Sequence, residues 1–238
     1  MKHICKNCSH HFAAADKFCP NCGQSAHTER LQFSHILHDF FHAFFHADKG
    51  FFLLVKKLAL NPGSIALHYV NGQRKRYFNP FSFLLIIAAI FLFVNLHFNA
   101  LDPLNNDPKG QFLEKYSNLI LISSLPVLAA ISWMIFKRSG KNYSECLVLC
   151  CYLLGEMYLF FSLVCSPLIL QFREKYQLII IVYAGVWLLY FVYGAVVFFQ
   201  EKSWKGVLKA VAVIVLFQFM TGMLGQGMYY LIKSFSHS

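Results

Sequence analysis

Five apolar runs decide what this chain can fold into: 81–98 (FSFLLIIAAIFLFVNLHF), 118–136, 146–170, 178–199 and 207–232. A helix needs about 20 mostly apolar residues to cross the hydrocarbon core of a bilayer. Each run approaches or exceeds that length, and the spacers between them are short and polar. Only 13% of the residues are charged and 57% are hydrophobic, whereas a soluble domain carries about a quarter charged residues. The expected fold is therefore an all-α membrane protein with a bundle of five transmembrane helices over 79–238. Gly222, Gly225 and Gly227 make the outer end of the last run its least regular part. The first residues are polar and cysteine-rich with no early apolar stretch, so no secretory signal is expected.

Cytoplasmic flanks of membrane spans accumulate Lys and Arg. Five spans place the N-terminal segment, the 137–144 loop and the 200–206 loop on one side. Of the 21 basic residues, only Lys109, Lys115, Arg173, Lys175 and Lys233 fall on the other. The expected layout has the N-terminus in the cytoplasm and the C-terminus outside. The formal charge of +10 then reports topology, and a nucleic-acid partner is not required to explain it.

Residues 5–23 read CKNCSHHFAAADKFCPNCG. Cys5 and Cys8 form one C-x-x-C pair, Cys19 and Cys22 a second, ten residues apart. Each pair lets two thiolates grip one ion from a tight turn, and four sulfurs complete a closed tetrahedral zinc site. So short a segment has no hydrophobic core, so metal binding must supply its folding energy. A zinc ribbon over 1–26 with structural Zn follows, its outer surface free for a cytoplasmic protein partner. Disulfides do not suit the cytoplasm, and a redox C-x-x-C would sit in a strand–helix pattern that is missing. His10 or His11 could replace one thiol. Cys146, Cys150, Cys151 and Cys165 sit in the third run with no partnering His or acid pattern, and read as small packing residues.

Between ribbon and first span, residues 27–78 form an amphipathic, His-rich and then basic juxtamembrane region. In HILHDFFHAFFHADKG (35–50), a helix turning about 100° per residue gathers His35, His38, Asp39, His42, His46 and Lys49 into an arc of about 100°. Phenylalanines fill the rest. Such a helix lies in the membrane interface; the alternative is a second metal or proton-handling site on the imidazoles and Asp39. After FFLLVKKLAL, Asn61-Pro62-Gly63 ends one helix and starts another, with Asn61 as its cap. The stretch GQRKRYFNP then feeds the first span. Arg74, Lys75, Arg76 and Tyr77 are candidates for an anionic phospholipid headgroup, with plain positive-inside anchoring as the alternative.

The C-x-x-C pairs, the run HILHDFFHAFFHADKG and the G-x-R-x-x-Y-x-x-P pattern (Gly72, Arg74, Tyr77, Pro80) resemble a bacterial membrane-protein family catalogued as domain of unknown function number 3667. The resemblance covers residues 1 to about 90. It implies architecture and a bacterial inner membrane, and it brings no catalytic residues.

Within the spans, Glu156 is the one deeply placed acid and Gln218 a second polar group. An intramembrane acid faces the bundle interior and often marks an ion or proton route; a protonated structural residue is the alternative. Ser123, Ser124, Tyr158 and Gln218 are its candidate partners. The functional expectation is a non-enzymatic scaffold, sensor or regulatory membrane protein with the ribbon as a docking module. The alternative is a metal-dependent membrane enzyme or transporter using His35, His38, His42, His46 and Glu156.

Overall fold

Residues 2–13, 15–26, 30–31, 50–98 and 116–236 are described by the structure, a computed structural model. The His-rich face (His35, His38, Asp39, His42 and His46) lies outside the described residues. At the N-terminus, β1 (Lys2–Ile4) pairs antiparallel with β2 (His11–Ala13), Ile4 opposite His11, and a second bridge joins Phe18 to Ser25. The rest is helical: α1 (Gly50–Leu60), α2 (Pro62–Val70), α3 (Pro80–Phe98), α4 (Ser117–Ile135), α5 (Tyr143–Phe160), α6 (Ser166–Gln171), α7 (Tyr176–Phe198) and α8 (Trp204–Ser236).

Among the described residues three helices are long and apolar enough to cross a membrane: Tyr143–Gln171, Arg173–Phe198 and Trp204–Gly227. The first of these runs from α5 into α6 through five residues wound to π pitch, Phe161–Cys165. Pro167 follows after Ser166, and its missing N–H breaks the regular ladder at that point. Ser162 answers by donating its hydroxyl to the Tyr158 carbonyl at 2.9 Å. Helices α3 and α4 are also apolar, but at 19 residues each they rise only about 28 Å. Among the described residues their apolar stretches run over Pro80–Asn95 and Ser123–Ile135, so three of the five expected spans meet spanning length there. By contrast α8 runs unbroken through Gly222, Gly225 and Gly227 to Ser236.

Helix α5 is the centre of the bundle. Its window is 78% buried, against 22% for each of the other two long helices. It packs on α1, α2, α3, α4 and α7. Phe83 lies beside Tyr152, while Phe91 lies beside Tyr158 and Phe161, so α3 and α5 run parallel. Asn142 starts α5: its Oδ1 accepts from the Glu145 backbone N–H at 2.7 Å, and the Glu145 carboxylate accepts from the Asn142 N–H at 2.9 Å. This reciprocal cap satisfies two donors that a helix start otherwise leaves open.

The α1–α2 elbow packs into the bundle. Pro62, Gly63, Ile65, Ala66, Tyr69 and Val70 are buried, because α2 is wedged between α5 and α7. Gly63 lies so close to the Gly194 carbonyl that a Cβ there would collide with it. Tyr190 donates to the Leu58 carbonyl at 2.9 Å and Tyr193 to the Asn61 side-chain oxygen at 3.0 Å. Asn61 therefore spends its side chain on α7, and makes no cap bond to α2.

One end of the bundle gathers parts distant in sequence. Phe136, after α4, stacks on Phe199, after α7, at 4.0 Å. Lys209 of α8 pairs with Glu201 at 2.7 Å, and Lys141 lies 5.4 Å from the Phe198 ring centre. The N-terminal segment reaches the same end through Arg30.

Candidate metal centre and its seat

The four-cysteine segment, expected to be a zinc ribbon, is built from two matching turns. In the first, Cys5 donates its backbone N–H to the His10 carbonyl and Ser9 donates to the Cys5 carbonyl, both at 2.9 Å. In the second, Cys19 donates to the Gln24 carbonyl and Gly23 to the Cys19 carbonyl, both at 2.8 Å. The residue after each second cysteine turns left-handed, Ser9 at φ 60° and Gly23 at φ 69°. That conformation is free for glycine and costly for serine. The equal C-x-x-C spacing of the sequence thus reappears as a repeated hydrogen-bond pattern, each knuckle closed by its own antiparallel bridge.

This repetition brings four thiols together. Cys5 Sγ lies 3.5 Å from Cys22 Sγ, Cys8 Sγ lies 3.7 Å from Cys19 Sγ, and all four fall within 4.8 Å of one another. A tetrahedron with metal–sulfur bonds of about 2.3 Å has edges of about 3.8 Å, so the cage has the right size for one ion. Among the described residues it is the one such cluster, and His10 and His11 stand outside it. Burial opposes ionisation of both Cys5 and Cys22. At Cys5 burial wins and pushes the thiol up to about 11. At Cys22 hydrogen bonds from the Asn7 side chain and the Gln24 backbone, with those of Cys8 and Cys5, overcome burial and hold it at about 6. A bound cation would remove the protons from the whole set, since the thiolate is the ligand form.

The second knuckle does not float free of the helices. Gln24, 5% exposed, accepts the backbone N–H of Lys75 on its side-chain oxygen at 3.1 Å. A few residues on, Arg30 grips Glu145 with Nε at 2.9 Å and a second nitrogen at 3.0 Å, and also reaches the Gly140 carbonyl. Asn142 donates its amide to the Leu31 carbonyl at 2.9 Å, and Leu31 is buried in the core. The Arg30 side chain is 58% exposed and that of Glu145 only 5%. Solvent therefore screens the pair to about 1 kcal/mol, and its value is geometric: it fixes where the ribbon linker enters the bundle. Gln24, Arg30 and Asn142 escaped the sequence reading, although Asn142-x-x-Glu145 is a legible capping signal.

The basic stretch 74–77 is partly sheltered. Tyr77 is buried, its hydroxyl 3.2 Å from Nδ1 of His68. Lys57 Nζ and the Arg76 guanidinium lie 5.9 and 6.0 Å from its ring centre. In the spans, Glu156 is buried, and its Oε2 has no hydrogen-bond partner among the described residues. It lies within electrostatic range of Tyr190. Three of the partners considered for it, Ser124, Tyr158 and Gln218, instead line a separate cavity of about 200 Å³ with Tyr183, Trp187 and Thr221. Cys146, Cys150, Cys151 and Cys165 are all buried among apolar neighbours.

Long apolar helices joined to a four-cysteine cluster able to hold a metal define a membrane protein with a metal-knuckle appendage. The model of a family described as "Protein of unknown function (DUF3667)" matches residues 48–92, and over that stretch the chain resembles this family. The matched part holds α1, α2, the basic loop and most of α3. The C-x-x-C pairs and residues 35–47 fall outside it, so the match is narrower than the resemblance read from residues 1 to about 90. No curated protein and no solved structure matches the chain.

Proposed function

We propose that the chain is a multi-pass bacterial inner-membrane protein that works as a non-enzymatic scaffold or sensor, with a zinc-bearing ribbon on its cytoplasmic side as the regulatory or docking module. The observation that carries this reading is the Gln24–Lys75 hydrogen bond. It joins the knuckle of Cys19 and Cys22 to the loop that feeds the first apolar helix. Zinc would order that knuckle, and an ordered knuckle would hold the loop. In this reading α3 and α4 join the three longer helices as five spans, with the N-terminus inside and the C-terminus outside. The concentration of basic residues at the ribbon end supports that orientation. The exposed face of the ribbon is the part left for a cytoplasmic protein.

Amide hydrogen exchange on the full chain tests it. Chelation should speed exchange at Lys75, whose N–H loses its acceptor, while the amides of mid-α5 stay protected. Unchanged exchange at Lys75 after the metal is gone would defeat the regulatory reading. The second reading, a metal-dependent enzyme or transporter using His35, His38, Asp39, His42, His46 and Glu156, draws on the unpartnered Glu156 oxygen, since buried acids in spans serve proton and ion paths. A second bound metal that vanishes with His42→Ala and His46→Ala would favour it; a silent Glu156→Gln would count against it.

A further inference from the structure

The loop expected to meet lipid headgroups acquires two partners from outside its own stretch of sequence. The buried Tyr77 ring is held by His68 of α2, its hydroxyl 3.2 Å from Nδ1 and the two rings stacked 6.3 Å apart. Lys57, in the last turn of α1, and Arg76 both lie within about 6 Å of the ring centre. Three segments thus set two permanent cations and an imidazole round one anchored ring.

Neither Lys57 nor Arg76 pairs with a carboxylate among the described residues. At the same end of the bundle, by contrast, Arg30 is taken by Glu145 and Lys209 by Glu201. Contact of a cation with a ring is a weaker hold than a charge-assisted hydrogen bond to an anion. Both side chains can therefore leave the ring for an anion at little cost. With Nδ1 of His68 engaged by the phenol, Nε2 is the nitrogen left for a ligand. A planar carboxylate would be served by one Arg; several donors converging from different directions suit a tetrahedral oxyanion.

We infer that Lys57, His68 and Arg76, arranged round Tyr77, form a phosphate-binding site. All four residues fall inside the matched stretch 48–92, so the site belongs to the part of the chain that resembles other proteins. Its phosphate comes from an anionic lipid headgroup or from the free ion; only the first source rests on the membrane placement proposed above.

The test uses the full zinc-loaded chain in phosphatidylcholine nanodiscs. Calorimetry follows the titration of dihexanoyl phosphatidic acid or inorganic phosphate, with empty nanodiscs as the blank. The expected result is saturable binding that falls about tenfold or more in K57Q/R76Q, as loss of two charge-assisted contacts requires. K57R/R76K, and K202Q/K205Q in the other basic loop at this end, should stay within about threefold, since charge and donors near the site persist. Saturable binding of the lipid probe alone identifies a headgroup site; displacement of that probe by inorganic phosphate identifies the free ion. Should K57Q/R76Q fail to fold, R76Q at its exposed side chain should still lose more than about threefold. The inference is overturned by three results: no saturable binding of either probe, unaltered binding in K57Q/R76Q, or an equal loss in K202Q/K205Q. A chain without metal or with inverted topology would be exposed by metal counting and reporter mapping, which this titration does not read.

Discussion

Two sets of four cysteines occupy this chain and are used in opposite ways. Cys5, Cys8, Cys19 and Cys22 converge within 4.8 Å, in a segment with almost no apolar interior of its own. Cys146, Cys150, Cys151 and Cys165 are spread along the helical stretch from α5 to the start of α6, each buried in a packed apolar environment. The residue is the same, and what differs is the backbone beneath it. A knuckle turns two thiols toward one point, whereas a helix turning about 100° per residue sends Cys150 and Cys151 to different neighbours. At the N-terminus sulfur stands where it could ligate a metal. In the span it is a small apolar filler, the job that Gly155 does beside Phe83 and Gly194 beside Leu153 and Pro62.

The comparison is broken most directly by removing a ligand. Cys22→Ser should take the bound zinc from one per chain to none, forfeiting most of the roughly 10–16 kcal/mol that such sites supply at neutral pH. Cys150→Ser should leave it at one. Metal counting by plasma mass spectrometry checks both, and loss of metal in Cys150→Ser would mean that the two sets are not independent.

Acid should produce the next largest effect. Cys22 sits at about 6 in the folded ribbon, below its ordinary value of 9.0. A depressed thiol stabilises the fold fully above its unfolded value and loses that contribution as pH falls through the folded one. Cys5 has the opposite sign: raised to about 11, it contributes fully below 9.0 and loses its share only above that. Those signs belong to the metal-free thiols; with zinc bound, protons compete for all four sulfurs, so transfer of zinc to a chromogenic chelator should increase as pH falls from about 9 to about 5. Release without any pH dependence over that range would contradict thiolate ligation.

Smaller effects test the packing half. Gly63→Ala should cost about 1–3 kcal/mol, the usual penalty for overpacking, because its new methyl meets the Gly194 carbonyl. Thermal unfolding in detergent measures the loss, and zinc content should not change. Cys150→Ala, which removes a fully buried sulfur, should cost about 1 kcal/mol. Arg30→Ala should cost less still, about 0.5 kcal/mol at its exposed position, and its clearer readout is faster exchange around Leu31.

How far the sequence could be read follows from how local each signal is. The two C-x-x-C pairs are self-contained, and both knuckles and the cage were legible from spacing alone. The three longest helices were legible because an apolar run carries its own length. The α1–α2 elbow was not. Its apolar residues suit an interface as well as a wedge, and what settles its burial is Tyr190, Tyr193 and Gly194, more than a hundred residues away. The same holds for Tyr77, where Arg76 is a neighbour in sequence but Lys57 and His68 arrive through the folding of two helices. Glu156 is buried, and helix register alone does not reveal that Ser124, Tyr158 and Gln218 meet at one cavity. The histidine row stands outside the described residues, and its two readings stand as they were.

The contacts beneath the ribbon also impose an order on biosynthesis. Their bundle side is contributed by Lys75, Gly140, Asn142 and Glu145, whereas the knuckles are complete by residue 25. The N-terminal module leaves the ribosome first and can acquire its ion at once. Its landing platform is not complete until more than a hundred further residues have been made, so the newborn protein carries a finished head before it owns a whole neck.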